Sequence, residues 1–113
     1  MLFNTIEAAA TLTVGTDAFR NERKRTSSRA RIMTGLAIVG SAAINDTEVD
    51  IFIEDYFVGR FRNSHAGVVG VDRNYDVKGV GSKMIPPGSQ VAAIIVDAPA
   101  TNPLLIEILG REL

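Results

Sequence analysis

Cysteine and tryptophan are both absent from the 113 residues, and His65 is the single histidine. Without cysteine there are no disulfides and no thiolate metal sites, so stability has to come from the core or from contacts with neighbours. A zinc site built on one imidazole would need three carboxylates, an uncommon set, and no Ser-His-Asp arrangement can be placed by spacing. Ser64, Ala66 and Gly67 mark His65 as an ordinary loop histidine. An excess of one charge is also missing: 12 Lys and Arg stand against 13 Asp and Glu, for a net charge of -1. The whole molecule therefore offers no electrostatic reason to bind nucleic acid or membrane. No basic stretch precedes an apolar one in the first ten residues, so no signal peptide is expected. The longest nearly uncharged run, from Ile32 to Asn45, is broken by Gly and Ser and falls short of the ~20 residues that span a bilayer. The expectation is a soluble chain with one core.

What is present reads mainly as β-structure. Val49, Ile51 and Ile53 alternate with Glu48, Asp50, Phe52 and Glu54, the pattern of a strand with one face buried. A second strand, Tyr56 to Asn63, follows a tight connection near Glu54 and Asp55. Upstream, Ile32, Thr34, Leu36 and Ile38 share one face of a strand whose other face carries Arg31, Met33, Ala37 and Val39. Glycines between His65 and Ser82 leave room for two short strands, around Val68 to Val71 and around Tyr75 to Val80. Pro86, Pro87, Gly88 and Ser89 form a turn before the β-branched run from Val91 to Val96. Asn4 and Glu7 have capping-box spacing, which predicts a turn or two of helix, and a short strand could begin at Thr11. For Leu104 to Leu109, Pro103 and Gly110 are helix punctuation while alternation supports a strand; a partner-seeking sheet favours the strand. The fold class is all-β: an antiparallel β-sandwich or barrel of seven to eight short strands with an N-terminal arm. Residues 1–28 are read as the arm and 29–113 as the sandwich domain.

Three features invite a functional reading. The first is the basic run Arg20, Arg23, Lys24, Arg25, Arg29 and Arg31, which holds six of the twelve cations. Thr16 to Ser28 lacks apolar periodicity and reads as exposed, so these cations are candidates for contact with another subunit, with nucleic acid or with anionic lipid. Glu22 interrupts the run and Phe19 is its one aromatic, which leaves base stacking little to work with. The second is the acidic row Asp46, Glu48 and Asp50, a further candidate for subunit contact. Neighbours on one strand face stand about 7 Å apart, too far to share a calcium ion without loop ligands. The third is Gly79, Gly81, Ser82 and Lys83, which fails as a phosphate loop because Met84, Ile85 and Pro86 follow where a helix should open. No catalytic residue, metal, cofactor or small-molecule substrate is indicated, and no enzymatic activity is expected.

The polar, basic segment Thr16–Ser28 precedes a compact β-domain. Within it, Gly35-Leu36-Ala37-Ile38-Val39-Gly40 comes before Val49-Asp50-Ile51-Phe52-Ile53, and Ile85-Pro86-Pro87-Gly88-Ser89 leads into Val91 to Val96. In this the chain resembles small jelly-roll virion proteins, the coat, cement and minor capsid subunits of icosahedral bacterial and archaeal viruses. The resemblance implies a jelly roll, location in the virion, and self-assembly or lattice binding to copies of itself or other capsid proteins. It also implies that deleting Met1 to Ser28 abolishes assembly and leaves the β-domain folded. Two other classes fit the composition. One is a carbohydrate- or ligand-binding sandwich using Tyr56, Phe57, Phe61 and Tyr75; the other is a small nucleic-acid-binding barrel using Arg23, Lys24 and Arg25.

Overall fold

The computed structural model describes residues 4–8, 14–20, 25–40, 46–64, 78–97 and 104–113. Among the described residues seven strands form: β1 (Asn4–Ala8), β2 (Arg31–Gly40), β3 (Glu48–Ile53), β4 (Tyr56–Arg62), β5 (Lys78–Ile85), β6 (Val91–Asp97) and β7 (Leu104–Glu112). All pairings are antiparallel and give two sheets, β1-β7-β2-β5 and β4-β3-β6. The all-β, two-sheet expectation therefore stands, and among the described residues there is no α-helix.

One core joins the inner faces of the two sheets. Leu36 pairs across with Ile108 and Ile38 with Ile106 in the first sheet; Val49 faces Ile95 and Ile51 faces Ala93 in the second. All belong to a single buried cluster. Fully burying an aliphatic side chain of this size is worth roughly 1.5–3 kcal/mol, so these matched pairs carry much of the folding free energy. The alternation read in β3 is the one observed, with Val49, Ile51 and Ile53 buried.

Several local expectations are corrected. Asn4–Ala8 is a strand and not a helical turn. A few residues cannot hold an isolated helix in water, whereas β7 offers a row of backbone groups to pair with. In β2 the register shifts between Met33 and Gly35, so Met33 and Leu36 both reach the core although they lie on opposite faces of a regular strand. The bulge reverses the phase and leaves Thr34 exposed. The strand read as ending near Val80 runs instead from Lys78 to Ile85. It passes through Gly81 at φ 66°, where Val80, Gly81 and Ser82 lie opposite Thr34 alone. The expected strand at Val68–Val71 lies outside the described residues. At the C-terminus the strand reading is the correct one, and β7 is flanked by β1 and β2.

The reading of residues 1–28 as a free arm also fails where those residues are described. β1 is paired to β7 along its whole length. Residues 14–18 are then stitched to β6: Gly15 N–H donates to the Ile95 carbonyl (2.8 Å), Ile95 N–H to that of Thr16 (2.9 Å), and Ala18 N–H to that of Ala93 (2.7 Å). Phe19, in the stretch expected to bury little, is completely buried in the core cluster. A single large aromatic is enough to dock a polar segment.

Candidate functional site

Among the described residues of the basic run, Arg20, Arg25, Arg29 and Arg31 do not present one cationic surface. Asp17 organises the run. One carboxylate oxygen, Oδ1, accepts from the N–H groups of Phe19 (2.9 Å) and Ala93 (3.1 Å), and the other pairs with Arg25 Nη2 at 2.5 Å. Arg25 is mostly covered, and its carbonyl accepts from Arg31 Nη2 at 3.1 Å. Arg31 is itself buried, and desolvation lowers its guanidinium pKa from the ordinary value, with Glu112 pulling the other way. Arg25 and Arg31 thus hold the connector in place. Arg20 is exposed and bonds the Asp17 carbonyl, and Arg29 is exposed and paired with Glu112 at 3.4 Å. Arg23 and Lys24 lie outside the described residues, as do His65 and Tyr75.

The acidic row behaves differently. Glu48 and Asp50 project from the outer face of the β4-β3-β6 sheet beside Arg62 and Arg60, their register partners on β4. Arg60 grips Asp50 with two bonds, Nε to Oδ1 at 2.7 Å and Nη2 to Oδ2 at 3.1 Å, and reaches Glu48 at 3.2 Å. Arg62 Nη2 meets Glu48 Oε2 at 2.7 Å. The hydrogen bond to Asp50, then its charge and that of Glu48, hold the Arg60 pKa above its ordinary value. Each carboxylate side chain is 14% exposed and each guanidinium side chain over 50%, so the cations form the outer layer. At Asp46, on the approach to β3, the main-chain N–H is bound by Asn63 Oδ1 at 2.8 Å.

Sequence reading singled out the acids and missed the arginines. Their partnership depends on one bulged residue. Ile51 pairs with Gly59 and Phe52 with Phe57, which leaves Val58 unpaired. Without that extra residue the two-residue hairpin would turn Arg60 and Arg62 toward the core. Gly59 stands beside it, where a Cβ would lie 2.9 Å from the Phe61 ring and force that ring to shift.

Below the ladder on the same face, Phe57 packs on Phe52 with ring centroids 5.5 Å apart at 55°. This tilted arrangement satisfies the ring quadrupoles while half of Phe57 remains exposed. Of the other aromatic candidates, Phe61 packs against the core, and Tyr56 is exposed with Lys83 Nζ 5.8 Å from its ring centroid. Tyr56, Ile53, Lys83 and Met84 line an open groove of about 330 Å³. Its rim includes Glu54, held at φ 52° by bonds in both directions with the backbone of Gln90.

Where β4 and β5 approach, Lys78 Nζ donates to the Arg62 carbonyl at 2.6 Å. Burial lowers the Lys78 pKa below its ordinary 10.5. The folded state disfavours the charged amine, so this group's penalty is fully present below its lowered pKa and is relieved as pH rises toward 10.5. Stability contributed by Lys78 is expected to rise with pH across that alkaline window. Denaturant titrations at stepped pH should show the upward slope in the wild type and its loss in Lys78→Met.

Among the described residues, no group of three or more His, Asp or Glu side chains forms a metal-binding cluster, and no helix is long and apolar enough to cross a membrane. Comparison with protein-family models, with curated proteins and with solved structures finds no match to this chain.

Proposed function

We propose that this chain is a non-catalytic, self-associating structural subunit of jelly-roll type, a coat, cement or minor capsid component of a virus particle. Strand order carries the reading. When the 14–18 segment is counted beside β6, the sheets run β1-β7-β2-β5 and 14–18-β6-β3-β4. The first strand lies beside the last and the second beside the next-to-last, as in a chain wrapped into two interlocked Greek keys. Jelly rolls serve capsids, lectins and cupins alike, so topology alone does not choose among them. The outer face of the second sheet favours the subunit role, because it sets aromatic side chains beside arginines, the residue types enriched at protein interfaces.

The ligand-binding alternative draws on one observation, the exposed Tyr56 beside the groove. The nucleic-acid and lipid alternatives lose Arg25 and Arg31 to internal contacts. Sedimentation equilibrium across a concentration series is the test. The expected result is a mass well above the 12.1 kDa monomer that grows with concentration. A protein that stays monomeric at millimolar concentration, or that binds a glycan while monomeric, overturns the reading.

A further inference from the structure

We infer that the outer face of the second sheet is a two-fold contact with a second copy of this chain, in which the β3 row of one copy lies over the β4 row of the other. This rests on the self-association proposed above and names its surface. The face has two parallel rows: Glu48, Asp50 and Phe52 on β3, and their register partners Arg62, Arg60 and Phe57 on β4. Rotation by 180° about a line along the seam between β3 and β4 exchanges the two rows without changing height along the strands. Glu48 of one copy then faces Arg62 of the other, Asp50 faces Arg60, and Phe52 faces Phe57. All three pairings match in charge or apolarity, and each recurs by symmetry, as an isologous interface requires.

The side chains have capacity left for this. Each Asp50 oxygen accepts one hydrogen bond within the chain and each Glu48 oxygen stands in one ion pair, so all four have a lone pair to spare. In its ion pair with Glu48, Arg62 engages one nitrogen of a five-donor fork. Internal pairing also preorganises the row, so closing the interface fixes fewer free side chains. The half-exposed Phe57 and the partly covered Phe52 supply the apolar part of the patch.

Two charge-reversed variants test this in combination. Arg60→Glu with Arg62→Glu makes both rows acidic; Glu48→Arg with Asp50→Arg makes both rows basic. Each variant alone is expected to lose at least ten-fold in dimer affinity by sedimentation equilibrium, and an equimolar mixture is expected to recover it as a heterodimer. A merely internal role for the ladder predicts no recovery on mixing, and that result overturns the inference. Phe57→Glu, at a half-exposed position that leaves folding intact by circular dichroism, should dissociate the pair, while Met84→Glu on the first sheet should not. The reverse outcome for these two also overturns it. A monomeric wild type would sink the assembly reading itself; a wild-type oligomer indifferent to every one of these variants sinks only this surface.

Discussion

Deleting residues 1–28 is expected to leave a chain that does not fold. The deletion removes β1 from the edge of the first sheet, the 14–18 segment from β6, and Phe19 from the core. Losing the Phe19 side chain alone costs about 3–5 kcal/mol by analogy with Phe-to-Ala substitutions in cores. The Ala93 N–H would also lose Asp17 as acceptor, and Arg31 would lose the Arg25 carbonyl. The total reaches the roughly 5–15 kcal/mol that stabilises a domain of ordinary size. Far-UV circular dichroism and urea titration of the truncated chain should show no cooperative transition. A sharp transition with an unreduced denaturant slope would mean that the leading segment is a dispensable arm after all. Phe19→Ala in the full chain gives an intermediate point: still folded, with a midpoint lowered in proportion to that core loss.

That the expected arm is part of the fold shows which signals a sequence carries openly. β3 was legible because one face is apolar and the other charged, so its period of two survives inspection. β2 was legible as a strand but not in its facing, because both faces are apolar and the shift after Met33 breaks the phase. Phe19 was overlooked because periodicity needs several apolar residues, and here one anchor does the docking. The available signal was Asp17 two residues before the lone aromatic of a polar run, an Asx-turn spacing that points the chain inward. In the candidate site, Glu48 and Asp50 were visible as a row, and Arg60 and Arg62 were not. Their facing hangs on Val58 being bulged, a choice made by the need to bury Phe61 opposite Val49 instead of an arginine. Bulges are settled by such tertiary competition and leave only a faint local mark, in this case the adjacent Gly59.

Asn63 carries the second large expected effect. It is completely buried just past β4 and holds together chain segments far apart in sequence. Its Oδ1 accepts from the main-chain N–H groups of Asp46 (2.8 Å) and Thr47 (3.1 Å), and its Nδ2 donates to the Gly40 carbonyl (2.9 Å). One amide thus ties the end of β2 and the approach to β3 to the end of β4. Thr47 extends the tie to β6 by donating its hydroxyl to the Asp97 carbonyl at 2.7 Å. Asn63→Ala removes these three bonds and strands buried polar groups, for a loss of about 3–4 kcal/mol. That corresponds to a fall of roughly 15 °C or more in Tm for a domain of this size. Asn63→Asp separates the donor from the acceptor: it keeps Oδ1 and replaces the donating Nδ2 with a second oxygen. Its buried carboxylate should destabilise at neutral pH and recover part of the loss in acid, where the protonated form can again donate to Gly40. Thermal melts of both variants against pH test the assignment: a loss under 1 kcal/mol in Asn63→Ala, or an Asn63→Asp variant that weakens further on acidification relative to wild type, would show that the amide is not the clasp described.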